Sequence, residues 1–484
     1  MSWHMICSDI LKNSGVAFGT SGARGLVSDF TEDVCSAFVH AFIQVMSKQF
    51  SFDRVAIAID NRPSSPRIAQ YCVKVLNEIG IDSTYFGVIP TPALAYMSMR
   101  DSIPSIMITG SHIPFDRNGI KFYRPDGEIT KLDEESIINS DSEISEESTL
   151  LSLPDLVKSD SAGLEYIRRY TSLFGNDLLS GKRIGIYEHS SAGRDLYEEL
   201  FSSFGATIIS LGRSDDFVPI DTEAVSDDDK AKAIEWSHQY NLDAIFSTDG
   251  DGDRPLLADE NGHWLRGDIL GLLCSQALNV NALAVPVSCN SVIDHWHGFD
   301  SVIRTKIGSP YVIEELVKLA KSYRVVAGFE ANGGYLLGSD VDINGNILNA
   351  LPTRDAILPV LMVLVYSGEN GISSLVNKLP SRVTYSDRIQ NFPNENSQQI
   401  LKFVVENPLI FLEKLGFSQV VIESIDMTDG VRLLMSNKDV IHLRPSGNAP
   451  ELRCYSESDS LSQAKYIVDH VLGNVRKIIK FSEK

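Results

Sequence analysis

The chain has 484 residues, 43% hydrophobic and 22% charged, with a formal net charge of −21. That length is too great for one core and implies roughly three or four domains, and the balanced composition excludes a disordered chain. An acidic balance without a polybasic run excludes nucleic acid as a general partner; no apolar run reaches the ~18 residues of a membrane span, so no membrane partner is expected.

The N-terminus lacks a basic segment followed by an apolar one, so no secretory signal is expected. Six cysteines are scattered without a Cys-x-x-Cys pair, which disfavours a zinc or redox motif and suits reduced thiols in a cytoplasm.

Residues 18–25, Phe-Gly-Thr-Ser-Gly-Ala-Arg-Gly, form a small-residue loop. Its glycines allow close backbone approach to a ligand, Thr20 and Ser21 can donate hydrogen bonds, and Arg24 supplies one cation. Residues 55–59 read as a buried strand, 60–66 as a loop, and the helix that follows carries Ile68, Tyr71, Cys72, Val75 and Leu76 on its apolar side. Ser64 or Ser65 is a natural cap for it.

Residues 106–109 form a short apolar strand that breaks at Gly110-Ser111-His112-Ile113-Pro114, setting the Ser111 hydroxyl at a strand end. Lys121 lies in an apolar Ile-Lys-Phe-Tyr run, where a long basic side chain is unexpected unless it reaches a polar site. Residues 131–162 read as an exposed acidic connector, helical at its start.

The strand, helix and strand of residues 54–86 recur at 183–211 and, more faintly, at 282–303. Strands alternating with helices imply α/β layers with largely parallel pairing. A smaller α+β unit follows from about residue 380, with strand-like segments at 419–424 and 431–435 and a last helix around 464–479.

Asp249-Gly-Asp251-Gly-Asp253-Arg254 can bring three carboxylates to one divalent cation. A calcium EF-hand does not fit, because Arg254 occupies the sixth loop position, Pro255 follows, and a strand precedes. In 328–335, Glu330 and Asn332 would face one side of an extended segment and could grip vicinal hydroxyls. In 444–453, Arg444, Ser446, Gly447, Asn448 and Arg453 suit a phosphate dianion.

Thr-Gly-Ser-His-Ile-Pro followed by Asp-Arg-Asn-Gly-Ile-Lys-Phe-Tyr resembles the phosphoserine loop of the α-D-phosphohexomutases. That family comprises phosphomannomutases, phosphoglucomutases and phosphoglucosamine mutases. Ile113 stands where the usual loop has Asn. The 19–25 loop is similar to the family's Gly-Thr-Ser-Gly-x-Arg-Gly, Asp60-x-Arg62 matches a pattern that would organise the phosphoserine loop, and 249–254 matches its metal loop. The usual Gly-Glu-x-Ser-Gly-His is altered, with Asn332 for Ser and Gly334 where some members have His. Residues 305–311 resemble a Val-Gly-Asp segment of which only Gly308 carries over. The 444–453 loop resembles Arg-x-Ser-Gly-Thr-Glu-Pro-x-x-Arg, with Asn448 and Ala449 substituted.

The resemblance implies three consecutive α/β domains with mixed sheets and a C-terminal α+β domain around a central cleft, at 1–150, 151–262, 263–375 and 380–484. It implies that Ser111 carries a phosphoryl group, gives it to a hexose monophosphate and takes back the other phosphate of a hexose 1,6-bisphosphate, which also serves as activator. Mg²⁺ would be held by Asp249, Asp251, Asp253 and a phosphoserine oxygen of Ser111, where hard oxygen ligands and phosphoryl charge both suit it. Arg24 and Arg254 would line the site, with Lys121 the first candidate to move the hydroxyl proton and His112 the second. Thr20, Ser21, Gly308, Glu330 and Asn332 would contact the substrate, and Arg444, Ser446, Gly447, Asn448 and Arg453 would clamp or support its distal phosphate. Mannose phosphate is the favoured substrate, before glucose and glucosamine phosphates, in a cytoplasmic monomer or homodimer. A Mg-dependent serine phosphatase and a non-catalytic sugar-phosphate sensor are the readings from other classes.

Overall fold

One pattern of strand pairing occurs three times along the chain. The computed structural model describes residues 4–19, 22–145, 152–417, 419–446 and 450–482. In the first sheet, Arg54–Ile59 pairs in parallel with Asp82–Val88 and Ser105–Ile108, and Ser105–Ile108 pairs antiparallel with Arg117–Arg124. Arg183–Tyr187, Thr207–Leu211, Ala244–Thr248 and Pro255–Ala258 repeat that order and those directions. So do Ala282–Pro286, Ser301–Thr305, Val326–Phe329 and Tyr335–Leu337. Ala17–Phe18 and Ala23–Leu26 extend the first sheet, and Leu351–Asp355 extends the third.

Strands flanked on both sides within a sheet and covered on both faces read as unbroken apolar runs, which is why Val55–Ile59 and Ile106–Ile108 are all buried. The first two repeats place helices Ser65–Glu78 and Arg194–Ser202 between the parallel strands. The third has only the short 3₁₀ turn Ser291–His295, which accounts for its faintness in sequence. Ile68, Cys72, Val75 and Leu76 are buried as the helical period requires, and Tyr71 is half-buried.

The last sheet is wholly antiparallel, in the order Val383–Ile389, Leu452–Ser458, Val440–Pro445, Val431–Met435, Ile422–Asp426. Helices Asn394–Glu406 and Leu461–Ser482 bury Ile400, Val404, Val468 and Val471 with Leu433 and Leu443 of the sheet. The α/β order with mixed sheets and the closing α+β unit thus match the class read from the sequence.

A single apolar core crosses the first three sheets. It joins Ala58 and Met107, Ile184 and Phe246, Leu283 and Phe329, with Leu94, Leu270 and Leu361 from intervening helices. Each such leucine is worth roughly 1.5–3 kcal/mol when fully buried, so these sheets hold one another firmly.

The connector after residue 130 is more ordered than its composition implied. Lys131–Ile138 is helical, and Glu143–Ser145 pairs antiparallel with His4–Ile6, burying Ile137 and Ile144. Among the described residues no helix is long and apolar enough to cross a membrane.

Candidate active site

In each repeat the third strand turns back into an antiparallel fourth, and these three turns supply the serine loop, 249–254 and 330–334. The fold therefore presents equivalent hairpins to one place.

Ser111 is fully buried, with φ of 54°, a left-handed conformation that costs a non-glycine residue roughly 1–3 kcal/mol. A network holds it there. Its amide donates to Thr109 Oγ1 at 2.8 Å, and that hydroxyl donates to Asp60 Oδ2 at 2.7 Å. Arg62, 1% exposed, donates to four carbonyls of the loop: Ser111 (3.0 Å), Ile113 (2.5 Å), Pro114 (2.7 Å) and Arg117 (2.9 Å). Asp60 pairs with its Nε at 3.1 Å, and Phe217 of the second repeat lies under its guanidinium at 4.0 Å.

Ser64 and Ser65 serve this network instead of capping the helix. The helix has no side-chain cap; Ser65 Oγ donates to Asp60, and Ser64 Oγ accepts from Asn118.

Ser111 Oγ donates to Asp249 Oδ2 at 2.6 Å. A Cβ on Gly250 would lie 2.7 Å from the Ser111 carbonyl oxygen, so glycine there is what lets the two loops meet. Asp249, Asp251 and Asp253 are buried and each offers a carboxylate oxygen within 4.8 Å of the others. Asp251 Oδ2 accepts from Thr91 Oγ1 (2.7 Å) and Lys121 Nζ (2.5 Å), and Asp253 Oδ2 accepts from Lys121 Nζ (2.8 Å). Among the described residues, Asp251 Oδ1 and Asp253 Oδ1 make no hydrogen bond, although both atoms are buried; Arg254 Nε, 3.8 Å from Asp253 Oδ1, is too far to make one. Buried carboxylate oxygens are satisfied as a rule, so hard oxygens left over from converging carboxylates fit a divalent cation.

Electrostatics agree with that reading. Burial and the other two carboxylates push Asp249 well above the usual carboxylate range. Burial also raises Asp251, but the Lys121 ammonium outweighs it and leaves that carboxyl below its ordinary value. A cation among the three would relieve the repulsion that raises Asp249.

Lys121 reaches this cluster because strand Arg117–Arg124 alternates. Ile120 and Phe122 enter the first sheet's other core, so Lys121 and Tyr123 face the neighbouring repeats. His112 Nδ1 lies 3.4 Å from Ser111 Oγ and accepts from Arg254 Nη1 at 3.0 Å. Burial, with Arg254 and Arg24 close by, pushes its pKa down to about 2, so the imidazole is neutral. Burial and Arg254 likewise lower Arg24 to about 10, and Arg24 Nε has no partner among the described residues. Facing guanidinium groups with unmet donors suit a phosphoryl dianion.

Glu330 and Asn332 do not lie on an extended segment. Strand Val326–Phe329 ends before them, and 330–334 is a turn in which Asn332 Oδ1 accepts from the Gly334 amide at 3.0 Å. Asn332 thereby caps its own turn, while Glu330 Oε2 accepts from Arg354 at 3.3 Å. Arg354 also binds Asp253, at 3.0 Å, and sequence reasoning missed it. The available signal was a Thr-Arg-Asp run inside the buried strand Leu351–Asp355.

Gly308, with φ of 133°, precedes helix Ser309–Leu319 at the seam with the last sheet. There Asp429 accepts from the Ile307 amide (3.0 Å) and from Arg444 Nε (2.9 Å). Arg444 and Ser446 line a groove of about 670 Å³ with Asp429, Leu401 and Met427. Arg453, opposite Arg444 in the sheet, borders a separate pocket with Glu223 and Tyr455. Thr20, Ser21, Gly447 and Asn448 lie outside the described residues.

Family models of phosphoglucomutase/phosphomannomutase match residues 15–148 (alpha/beta/alpha domain I), 266–383 (alpha/beta/alpha domain III) and 394–473 (C-terminal domain). The chain is 58% identical over 468 residues to a phosphomannomutase of Salmonella muenchen, covering 97% of each. It is 39% identical to a phosphomannomutase of Sinorhizobium fredii, over 94% of this chain and 97% of that one. A crystal structure of a phosphoglucomutase/phosphomannomutase family protein from Burkholderia thailandensis shares the fold with a TM-score of 0.73, at 17% identity over 98% of both chains.

Fold and full-length relatives together define an enzyme of the isomerase class that moves phosphoryl groups. The chain belongs to the phosphoglucomutase/phosphomannomutase family, the α-D-phosphohexomutases. It is a phosphohexomutase, which shifts a phosphoryl group between hydroxyls of one hexose.

Proposed function

We propose that this phosphohexomutase interconverts mannose 1-phosphate and mannose 6-phosphate through phosphorylated Ser111 and a mannose 1,6-bisphosphate. One observation carries the reading: Ser111 Oγ lies 2.6 Å from Asp249 Oδ2, across 138 positions of sequence, beside two further carboxylates. Mg²⁺ held by Asp249, Asp251, Asp253 and an oxygen of the phosphorylated serine would supply charge that offsets the transferring phosphoryl group. The choice of mannose rests on the names of the two full-length relatives.

The chain's own groups do the rest by position. Arg62 and the Thr109–Asp60 pair hold Ser111 in its strained conformation, with its hydroxyl aimed at Asp249. Arg24 and Arg254 face the transferring group. Lys121, an ammonium beside Asp251 and Asp253, gives a proton to the sugar oxygen released when Ser111 takes a phosphoryl group back, and the amine so formed accepts the proton of the attacking hydroxyl in the opposite step; His112 is too weak a base, since its Nδ1 already accepts from Arg254. Glu330 and Asn332 orient sugar hydroxyls, with Thr20, Ser21 and Gly308 completing the contacts. Arg444, Ser446, Gly447 and Asn448 clamp the phosphate that is not reacting, supported by Arg453.

These roles fall on four units, 1–150, 151–262, 263–375 and 380–484. Six unpaired buried thiols suit a reducing cytoplasm.

Intact mass after incubation with hexose 1,6-bisphosphate tests the nucleophile: the wild type gains one phosphate and Ser111→Ala gains none. A stable phosphate on the variant sinks the assignment. Coupled assays on mannose, glucose and glucosamine 1-phosphates test the sugar, and equal rates would remove the mannose preference. Release of inorganic phosphate without stimulation by added bisphosphate would favour a phosphatase.

A further inference from the structure

Residue 334 is glycine, and the space a side chain would take there is filled. A Cβ on Gly334 would lie 2.6 Å from both Cδ and Cγ of Arg354. Gly334 is not among the glycines with positive φ. The position therefore requires room, not conformational freedom.

Arg354 arrives from Leu351–Asp355, the strand that pairs antiparallel with Tyr335–Leu337 immediately after the loop. It is 2% exposed. Its Nε and Nη2 both lie 3.0 Å from Asp253 Oδ2, and its Nη1 lies 3.3 Å from Glu330 Oε2. The next residue, Asp355, accepts from Tyr166 and Tyr170, which anchors the strand beside the guanidinium. A rigid planar fork of five donors can span two carboxylates; an imidazole has only two nitrogens.

We infer that Arg354 is a positioning residue of the mutase reaction, entering the space that Gly334 leaves open and tying the sugar loop at Glu330 to the cation loop at Asp253. The inference rests on the mutase reading of the site. Together with Lys121, Arg354 engages Asp253 Oδ2 and so leaves Oδ1 as the oxygen turned toward a cation. By holding Glu330 Oε2 it also sets where the carboxylate meets a sugar hydroxyl. One side chain thus makes sugar recognition and transfer geometry interdependent.

The experiment measures kcat and KM for mannose 1-phosphate on the full-length wild type, Gly334→Ala, Arg354→Ala, Arg354→Lys and the Gly334→Ala/Arg354→Ala pair. Thermal melting and Ser111 phosphorylation are followed alongside. Arg354→Ala should lower kcat/KM by about 10- to 100-fold with a raised KM, as loss of a group that orients a ligand-binding side chain does. Phosphorylation of Ser111 by the bisphosphate should persist. Gly334→Ala alone should lower kcat/KM about tenfold, but should cost under about twofold once Arg354 is alanine, because the clash is gone. Arg354→Lys keeps the charge without the fork and should remain below wild type.

Wild-type kcat/KM in Arg354→Ala, multiplying losses in the pair, or a loss of stability with KM unchanged would overturn the inference. Should Arg354→Ala fail to fold, Gly334→Ala and Arg354→Lys decide it, and wild-type kinetics in either one count against it. A wild type that turns over no hexose phosphate and takes up no phosphate would instead sink the mutase reading itself.

Discussion

Ser111 and Asp249 stand on sheets whose apolar side chains interleave in one core, whereas Arg444 and Ser446 stand on a sheet with a core of its own, from Phe392 to Ile478. The seam to that last sheet is largely polar. Glu457 accepts from the Ser291 amide and hydroxyl, Asn290 donates to Arg382 O and Thr384, and Ile307 donates to Asp429. Water can replace such contacts at little net cost, while parting the first three sheets would expose a core. The difference matches two demands of the proposed reaction. Nucleophile, cation ligands and arginines must be held to about half an ångström, while a clamp that grips either end of a sugar benefits from a cheaply moved support.

Changes in the fused body should have the largest effects. Ser111→Ala should cost at least about 10³-fold in turnover, checked by coupled assay; residual activity near wild type would take the chemistry off this loop. Chelation, or Asp251→Asn, should lower kcat about 10²- to 10³-fold. Added Mg²⁺ should restore the chelated wild type and not the variant. Arg62→Ala leaves Asp60 buried without its cation and should destabilise the body by about 3–5 kcal/mol. Calorimetry should show that loss in the larger transition alone, and an equal shift in both would mean that the last unit does not melt separately.

Acid should act on both parts. Burial lowers His189 in the fused body and His442 in the last unit to about 4, against 6.5 ordinarily. The folded value lies below the unfolded one, so the unfolded chain binds more protons between them. The stabilisation is complete above pH 6.5 and falls as pH drops, by about 2 kcal/mol per histidine between pH 6.5 and 5. His189→Gln should flatten the melting-temperature profile of the larger transition only. The smallest effect falls on the seam. Asp429→Asn should raise KM about fivefold, equivalent to about 1 kcal/mol, with kcat little changed; an equal fall in kcat would place Asp429 in the chemistry.

Legibility divides along a similar line. Ser111, Lys121 and the three aspartates were readable because each breaks a local rule: a hydroxyl at a strand end, a lysine in an apolar run, carboxylates interleaved with glycine. Arg62 was readable as a pattern, but its four carbonyl partners lie some fifty positions on. The shared face expected for Glu330 and Asn332 failed because their segment turns, and a period-two argument holds only along a strand. Ser64 and Ser65 had a local partner in the helix and took tertiary ones instead. Arg354 offered little warning, since its partners lie 24 and 101 positions away.

The groups available to this protein, a strand-end serine, three glycine-spaced aspartates, loop arginines and repeated α/β units, were determined by its sequence, because residue type and spacing act over one turn or one strand. Which groups meet was decided only by the tertiary structure. Equivalent hairpins from three sheets converge, and burial makes every leftover donor and acceptor find a partner wherever packing brings one. The junction of Ser111 with Asp249, the grip of Arg62 on the serine loop and the bridge of Arg354 are consequences of that packing.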